Sequence, residues 1–249
     1  MLERERAYSK VASGGQKAFE SEGLFEWQAF ESGRYFNMRK CEKRVFDSLP
    51  STQTYLLEKL KNDGLKAPIL IVAKNQSAGI GSRGNIWEST KSALTFSLAL
   101  NASDLPKDLP LQANALYLGF LFKEVLKDLG SQTWLKWPND LYLEDQKIGG
   151  VLVNVYKDMR VCGIGVNRVS KKWACLDIGA SDDLIIEGFL KKIEENLFWG
   201  EVLSKYALEF HRSNSFSFHN DCGEAMSLKD AELLEDGRIC IKDKIYSRM

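Results

Sequence analysis

The residue types best suited to chemistry gather in two stretches of the chain. In the first, Lys136-Trp137-Pro138-Asn139-Asp140 is followed by Lys147-Ile148-Gly149-Gly150-Val151-Leu152. A lysine inside the apolar run Trp134-Leu135-Lys136-Trp137 either projects from a sheet into water or sits in a site with an anion, because desolvating an unpaired ammonium is costly and lowers its pKa. Lys147 has the same two readings, a solvated lysine of a hairpin turn or a site cation. In the second stretch, Gly79-Ile80-Gly81-Ser82-Arg83-Gly84 has the spacing Gly-x-Gly-x-x-Gly. That spacing fits a structural turn, or a loop whose close backbone directs N–H groups at an anion. A dinucleotide fold would require the loop to open a helix facing a pyrophosphate. The residues that follow instead alternate like a strand, at Leu94, Phe96, Leu98 and Leu100, which argues against it.

Other chemistries find less support. Cys41, Cys162, Cys175, Cys222 and Cys240 form no Cys-x-x-Cys pair, and His211 and His219 are the only histidines. A structural zinc site needs four close nitrogen or sulfur ligands, so buried thiols are the plainer reading and no protein metal site is expected. No Gly-x-Ser-x-Gly elbow marks a serine nucleophile.

The elements that must position these residues follow from hydrophobic period and punctuation. Leu56, Leu57 and Leu60 share a helical face, with Pro50-Ser51-Thr52 at the start and Gly64 as a stop. Pro68 to Ala73 is an apolar, β-branched run expected as a buried strand ending at the glycine loop. Apolar residues at 113, 116, 120, 121, 125 and 126 predict a core helix over 112–129, with Gly130 at the left-handed C′ position. Then Thr133 to Trp137, Leu141 to Leu143, Ile148 to Tyr156 and Val161 to Val166 read as strands whose short connections force antiparallel neighbours. Asp182 or Asp183 is the expected cap of a helix carrying Leu184, Ile185, Phe189, Leu190, Ile193 and Leu197, and a second helical stretch runs to about Arg212. Residues 213–249 read as a small β appendage and residues 1–40 as a weakly ordered leader, which leaves 41–212 as the main domain. A functional start at Met38 would make residues 1–37 dispensable.

The whole chain of 249 residues has 34 Lys+Arg against 34 Asp+Glu, so no global charge points to nucleic acid or an anionic membrane. With 44% hydrophobic and 27% charged residues, and no apolar run long enough to cross a bilayer, an ordinary globular protein is expected. The charged N-terminus lacks the apolar core of a secretory signal, which points to a reducing cytoplasm.

The order and spacing of several motifs together resemble one family. Ser51-Thr52-Gln53, the loop Gln76-x-Ala78-Gly79-x-Gly81-x-Arg83-Gly84-x-x-Trp87, Lys136-Trp137-Pro138-Asn139-Asp140, Lys147-x-Gly149-Gly150 and Gly163-Ile164-Gly165-Val166-Asn167 are similar to those of the biotin protein ligases. The resemblance spans about 43–212, with a short version of the family's C-terminal β domain after it. It implies an α+β fold, class II synthetase-like, with a mixed, largely antiparallel sheet packed with helices and a small SH3-like β appendage. It also implies a two-step reaction: biotin and ATP give biotinyl-5′-AMP and pyrophosphate, and a lysine of a biotin carboxyl carrier protein domain, in acetyl-CoA carboxylase or pyruvate carboxylase, takes the biotinyl group.

Roles carry over residue by residue from that resemblance. Lys136 is expected to be the catalytic cation, screening carboxylate and phosphate from each other, with Mg²⁺ neutralising the leaving pyrophosphate. Ser51, Thr52, Gln53, Gln76, Gly79, Ile80, Gly81, Ser82, Lys136, Gly149 and Gly150 are the expected biotin-binding positions. Arg83, Trp87, Asn139, Lys147 and Asn167 are the expected ATP-binding ones. The chain departs from the family where Ile80, Ser82 and Asn85 occupy loop positions that are usually arginine. The loop's hold on the phosphate side is then expected to weaken, each lost charge-assisted bond contributing about 1.5 to 3 kcal/mol, unless Lys147, Arg83 and the metal compensate. Gln53 stands where asparagine is usual. The family's bifunctional members add an N-terminal winged helix that represses transcription; here the leader lacks such a pattern, so a ligase without DNA binding is expected, with a homodimer possible. Two alternatives stay open: a lipoate or octanoate ligase or transferase of the same superfamily, and a non-catalytic biotin-responsive regulator.

Overall fold

The computed structural model describes residues 41–81, 86–87, 92–220 and 222–247. The expected leader at 1–40, the start at Met38, and the loop positions Ser82, Arg83 and Asn85 lie outside them. Strand β1 is Glu42–Leu49, helix α1 is Thr52–Asn62 and strand β2 is Ile69–Gln76. β1 and β2 pair in parallel, so α1 is the crossover that a parallel pair requires. The hydrophobic pattern does not announce β1, whose sequence EKRVFDSL is mostly exposed at the sheet edge. α1 begins as expected: Ser51 is its N-cap, with Oγ accepting from Thr54 N.

β3 (Gly79–Ile80) and β4 (Ile86–Trp87) form a small antiparallel pair. β5 (Ser92–Asn101) then returns to the large sheet. Leu94, Phe96, Leu98 and Leu100 face the main core, while Thr95 and Ser97 are also buried, so β5 is covered on both faces. Helix α2 (Asn114–Asp128) ends at Gly130, φ +97°, where Ser131 N donates to Leu126 O and Gly130 N to Lys127 O, both at 2.9 Å. These two bonds satisfy carbonyls that the helix end leaves without partners.

β6 (Trp134–Lys136), β7 (Asp140–Leu143), β8 (Gln146–Tyr156) and β9 (Met159–Val169) are antiparallel neighbours. The seven-stranded order is β1-β2-β5-β9-β8-β7-β6, a mixed sheet with one parallel pair. α1 covers one face through Leu56 and Leu60 against Ile69, Ile71, Ala73 and Val161. α2, α3 (Asp182–Glu194) and α4 (Trp199–Phe210) bury their apolar sides in the larger core on the other face. Three details of α3 differ from expectation. It ends at Glu194, before Leu197. Ser181, not Asp182 or Asp183, is its N-cap, its Oγ accepting from Leu184 N, and the two aspartates occupy the first turn, where the helix dipole favours them. Leu184 is exposed rather than on the apolar face.

The C-terminal strands are β10 (Ser217–His219) with β11 (Ala225–Ser227), and β12 (Glu232–Leu233), β13 (Ile239–Ile241) and β14 (Lys244–Tyr246). Leu228, Ile239 and Ile241 are buried in the same cluster as α2 and α4. Two indoles fasten this end: Trp137 Nε1 donates to Gly237 O at 3.0 Å and Trp199 Nε1 to Glu235 O at 2.8 Å. Gly237, at φ +80°, sits where a Cβ would lie 3.1 Å from both Ala113 and Trp199. Among the described residues, no helix is long and apolar enough to cross a membrane.

Candidate active site

The first turn of α1 builds one end of a cleft that is open to solvent. Gln76, at the end of β2, turns its Oε1 to Thr52, accepting from Thr52 N at 2.7 Å and Thr52 Oγ1 at 3.1 Å. That supplies a partner for an N–H at the helix start, where no carbonyl lies a turn earlier. Ser97 on β5 donates to Thr52 Oγ1 at 2.9 Å. Ser97 thus donates to Thr52 and Thr52 to Gln76 Oε1, so the Gln76 NH₂ takes no part in these bonds. Ser51, Thr52, Gln53 and Gln76 all line the cleft, Ser51 while also capping α1.

The cleft floor is made by glycines on β8 and β9. Gly150, Gly163 and Gly165 line it, with Ile80 and Gly81 from the loop and Leu152 beside them. A Cβ on Gly163 would come within 2.6 Å of Gln53 Oε1, and one on Gly165 within 3.0 Å of the Trp87 ring. Only hydrogen at these two positions lets α1 and Trp87 approach the sheet. Gln53 Oε1 and Trp87 Nε1 are both buried without a partner among the described residues. Gly149 and Gly79 stand behind the lining: a Cβ on Gly149 would meet Gly165 O at 2.5 Å, and one on Gly79 would meet Trp87 O at 3.0 Å.

The other end of the cleft holds its charge. Lys136 on β6 and Asp140 on β7 are cross-strand partners, and Asp140 pairs with Gly150 on β8. Asp140 therefore lies between two lysines: Lys147 Nζ is 2.6 Å from Oδ1 and Lys136 Nζ 3.3 Å from Oδ2. Burial of Asp140 alone would raise its pKa, but the adjacent Lys147 and Lys136 ammonium groups outweigh it and hold the carboxyl below its ordinary value. The two lysines differ in access. Lys147 is 46% exposed at the side chain and lines the cleft, whereas Lys136 is 5% exposed and sits behind Asp140. Lys136 Nζ also donates to Trp137 O at 3.5 Å. The reading of Lys136 as an exposed strand lysine is thus excluded.

Asn139 lines the cleft, with its Nδ2 donating to Val151 O at 2.5 Å and its own carbonyl accepting from Val151 N, which pins the β6–β7 turn to β8. Asn167 lies off the cleft lining; its Nδ2 donates to Ala174 O at 3.0 Å and its carbonyl accepts from Leu176 N, holding the segment after β9. Arg83 and Ser82 fall outside the described residues. Ser97, Gly163, Gly165 and Asp140 are participants that spacing did not single out as site residues; Asp140 was within reach, being the last residue of the lysine block. Among the described residues no three His, Cys, Asp or Glu side chains come together to hold a metal ion. Mg²⁺, which prefers few carboxylates plus substrate phosphates, finds no protein cage among the described residues.

A family model for the biotin/lipoate A/B protein ligase family matches residues 45–167, the stretch that contains both ends of the cleft. The bifunctional ligase/repressor BirA of Escherichia coli is 35% identical over 135 residues, covering 51% of this chain and 41% of that protein. The biotin–[acetyl-CoA-carboxylase] ligase of Mycobacterium tuberculosis is 29% identical over 124 residues, 47% of this chain and 46% of that one. The match thus spans less than half the length of these curated relatives. Among solved structures, biotin protein ligase from Aquifex aeolicus in complex with biotin and ATP is 24% identical with a TM-score of 0.64, covering 84% of this chain and 95% of that one, a likeness of fold. A crystal structure of biotin acetyl coenzyme A carboxylase synthetase from Helicobacter pylori with bound biotinylated ATP is 93% identical, with a TM-score of 0.83, over 84% of this chain and 100% of that one. Identity of that extent over the whole of a relative leaves little room for another fold or another cleft, and the chain belongs to the biotin/lipoate A/B protein ligase family, among its biotin protein ligases.

Proposed function

We propose that this chain joins biotin to AMP and then passes the biotinyl group to a lysine of a biotin carboxyl carrier domain. The observation that carries the proposal is a single cleft with a hydrogen-bonding pocket at the α1 end and the Asp140–Lys147 pair at the other. A bicyclic urea with an acid tail suits that polarity. Its head meets Ser51, Thr52, Gln53 and Gln76, and its carboxylate runs over the glycine floor toward Lys147.

In the first step a carboxylate oxygen attacks the α-phosphorus of ATP, an acyl–phosphate bond forms, and the bond to pyrophosphate breaks. Two anions must meet, and charge builds on the phosphoryl oxygens. Lys147, on the cleft surface, supplies the facing cation, and preorganised charge of this kind is commonly the largest contribution to such catalysis. Lys136 acts from behind Asp140: it shares that carboxylate and so leaves Lys147 free to turn to an incoming phosphate. This moves the expected screening role from Lys136 alone to the pair. In the second step the acceptor amine attacks the acyl carbon, AMP leaves with the bonding electrons, and the amine sheds a proton. No protein nucleophile is required, since holding reactants in register can itself lower the barrier by about 7 to 11 kcal/mol.

The identities of relatives support this reading: biotinylated ATP in the Helicobacter pylori structure and acetyl-CoA carboxylase in the Mycobacterium tuberculosis name. The carrier domain as partner and the cytoplasm as place are part of the same proposal. Incubating the chain with ATP, biotin and a purified biotin carboxyl carrier domain tests it. The carrier should gain one biotinyl group by mass spectrometry, only with both small molecules present; an unmodified carrier contradicts it.

A further inference from the structure

An enzyme that makes an activated acyl group exposes its own amines to it. Lys147 lines the cleft and is 46% exposed at the side chain. A Cβ on Gly150, at the cleft floor, would lie 3.6 Å from Asp140 Oδ1 and 3.8 Å from Lys147 Cε, so the ion pair stands beside the surface over which the acid's tail runs. A lysine nitrogen becomes a nucleophile when it carries a lone pair, and a protein makes such a nitrogen by desolvating it or by setting it next to another cation. The second cation is present: Lys136, 5% exposed, lies behind Asp140. Between the two amines stands the Asp140 carboxylate, with Oδ1 2.6 Å from Lys147 Nζ and Oδ2 3.3 Å from Lys136 Nζ.

We propose that the Asp140 carboxylate guards the acyl adenylate: it keeps Lys147 an ion-paired ammonium, so the biotinyl group waits for the acceptor amine and is not captured by the enzyme. The inference rests on the ligase reading above; it gives Asp140 a further task and makes Lys147 a latent modification site. An ammonium bonded to Asp140 still turns N–H groups toward phosphate, but it has no electron pair to offer the acyl carbon. In Asp140→Asn the two lysines share no anion, and like charge together with the burial of Lys136 favours loss of a proton from the pair. Lys147, on the cleft surface, is then the attacking amine. Its nitrogen forms an amide bond with the acyl carbon, the acyl–oxygen bond to AMP breaks, AMP leaves with the bonding electrons, and the nitrogen sheds one proton to water. The chain ends with the biotinyl group on its own cation.

The test supplies preformed biotinyl-5′-AMP to the full chain without a carrier domain, which bypasses the first step, and maps the biotinylated lysines by mass spectrometry of peptides. Lys61 and Lys66, both exposed, report labelling from solution. In wild type Lys147 should carry no more label than these two. In Asp140→Asn it should carry at least about tenfold more, the gain from holding amine and acyl carbon together, and in Asp140→Asn/Lys147→Arg that excess should vanish. Folded Asp140→Asn without an excess at Lys147, an excess at Lys136 in its place, or wild type labelled at Lys147 as heavily as the variant overturns the proposal. Should the variant not fold, the wild-type chain decides: label at Lys147 above that at Lys61 and Lys66 overturns the guard, and label at or below theirs upholds it. A wild-type chain that speeds transfer from the adenylate to a carrier domain no more than a denatured one does overturns the ligase reading itself, and this inference with it.

Discussion

Asp140 ties the charge of the site together, and its titration has a definite sign. Its pKa is held below the ordinary 3.8 against the burial that would raise it, because Lys147 and Lys136 face it. A depressed carboxyl contributes stability that is fully present above the unfolded value and is lost as pH falls through the folded one. The stability advantage of wild type over Asp140→Asn should therefore be constant near neutrality and shrink as pH drops from about 5 to about 3, measured by urea unfolding at each pH. An advantage that does not vary over that window contradicts the assignment. Lys136 makes a second prediction at this scale. Removing it leaves Asp140 with Lys147 alone, so Lys136→Ala should lower stability by about 1.5 kcal/mol, the low end for a lost hydrogen bond to a charged group, seen as a shift in the urea midpoint. A change within error would mean that the buried ammonium holds nothing.

Strands β8 and β9 make the site possible because they carry glycine where side chains would stand. Gly149 and Gly150 are adjacent in sequence but not equivalent: a Cβ on Gly149 meets Gly165 O at 2.5 Å, while one on Gly150 finds its nearest atom at 3.5 Å. Gly149→Ala should cost about 1 to 3 kcal/mol from overpacking, and Gly150→Ala should melt near wild type; thermal denaturation of the two separates them. At this scale much was legible in the sequence. Period and punctuation gave α1, α2, β2, β5 and the β6–β9 run, because each has an apolar face that one core demands. β1 escaped, since an edge strand bearing Glu42, Lys43, Arg44 and Asp47 has little apolar pattern and is held by its parallel ladder to β2. The cap of α3 was misplaced by one residue, because serine and aspartate side by side compete for the same role. Within the site, Lys136 and Lys147 could be flagged from the residues around them, whereas Ser51, Thr52 and Gln76 could be named as site residues only through the family resemblance. What sequence could not say is which lysine reaches the cleft, since Lys136 and Lys147 lie on different strands and their order from the surface is set by the pairing of β6, β7 and β8.

Across the molecule, the tryptophan of the lysine block has a structural task. Trp137 is 1% exposed, packs edge-on to Phe218 at 5.1 Å, and its indole N–H binds Gly237 O. The turn that carries Asn139 and Asp140 is thereby fixed to the C-terminal strands. Trp137→Phe keeps the ring contact and loses the hydrogen bond, so it should lower stability by about 1 kcal/mol and the melting temperature by roughly 2 to 4 °C; calorimetry checks it, and an unchanged melting temperature would detach the C-terminal strands from the site's support.

The central claim is that the ammonium of Lys147, steadied through Asp140, faces the carboxylate and phosphate as they react. Single-turnover formation of biotinyl-5′-AMP, followed by chromatography with enzyme in excess over biotin, measures that step alone. Lys147→Ala should slow it by roughly a hundredfold or more while biotin still binds. Adenylate formation at the wild-type rate in Lys147→Ala would contradict the account.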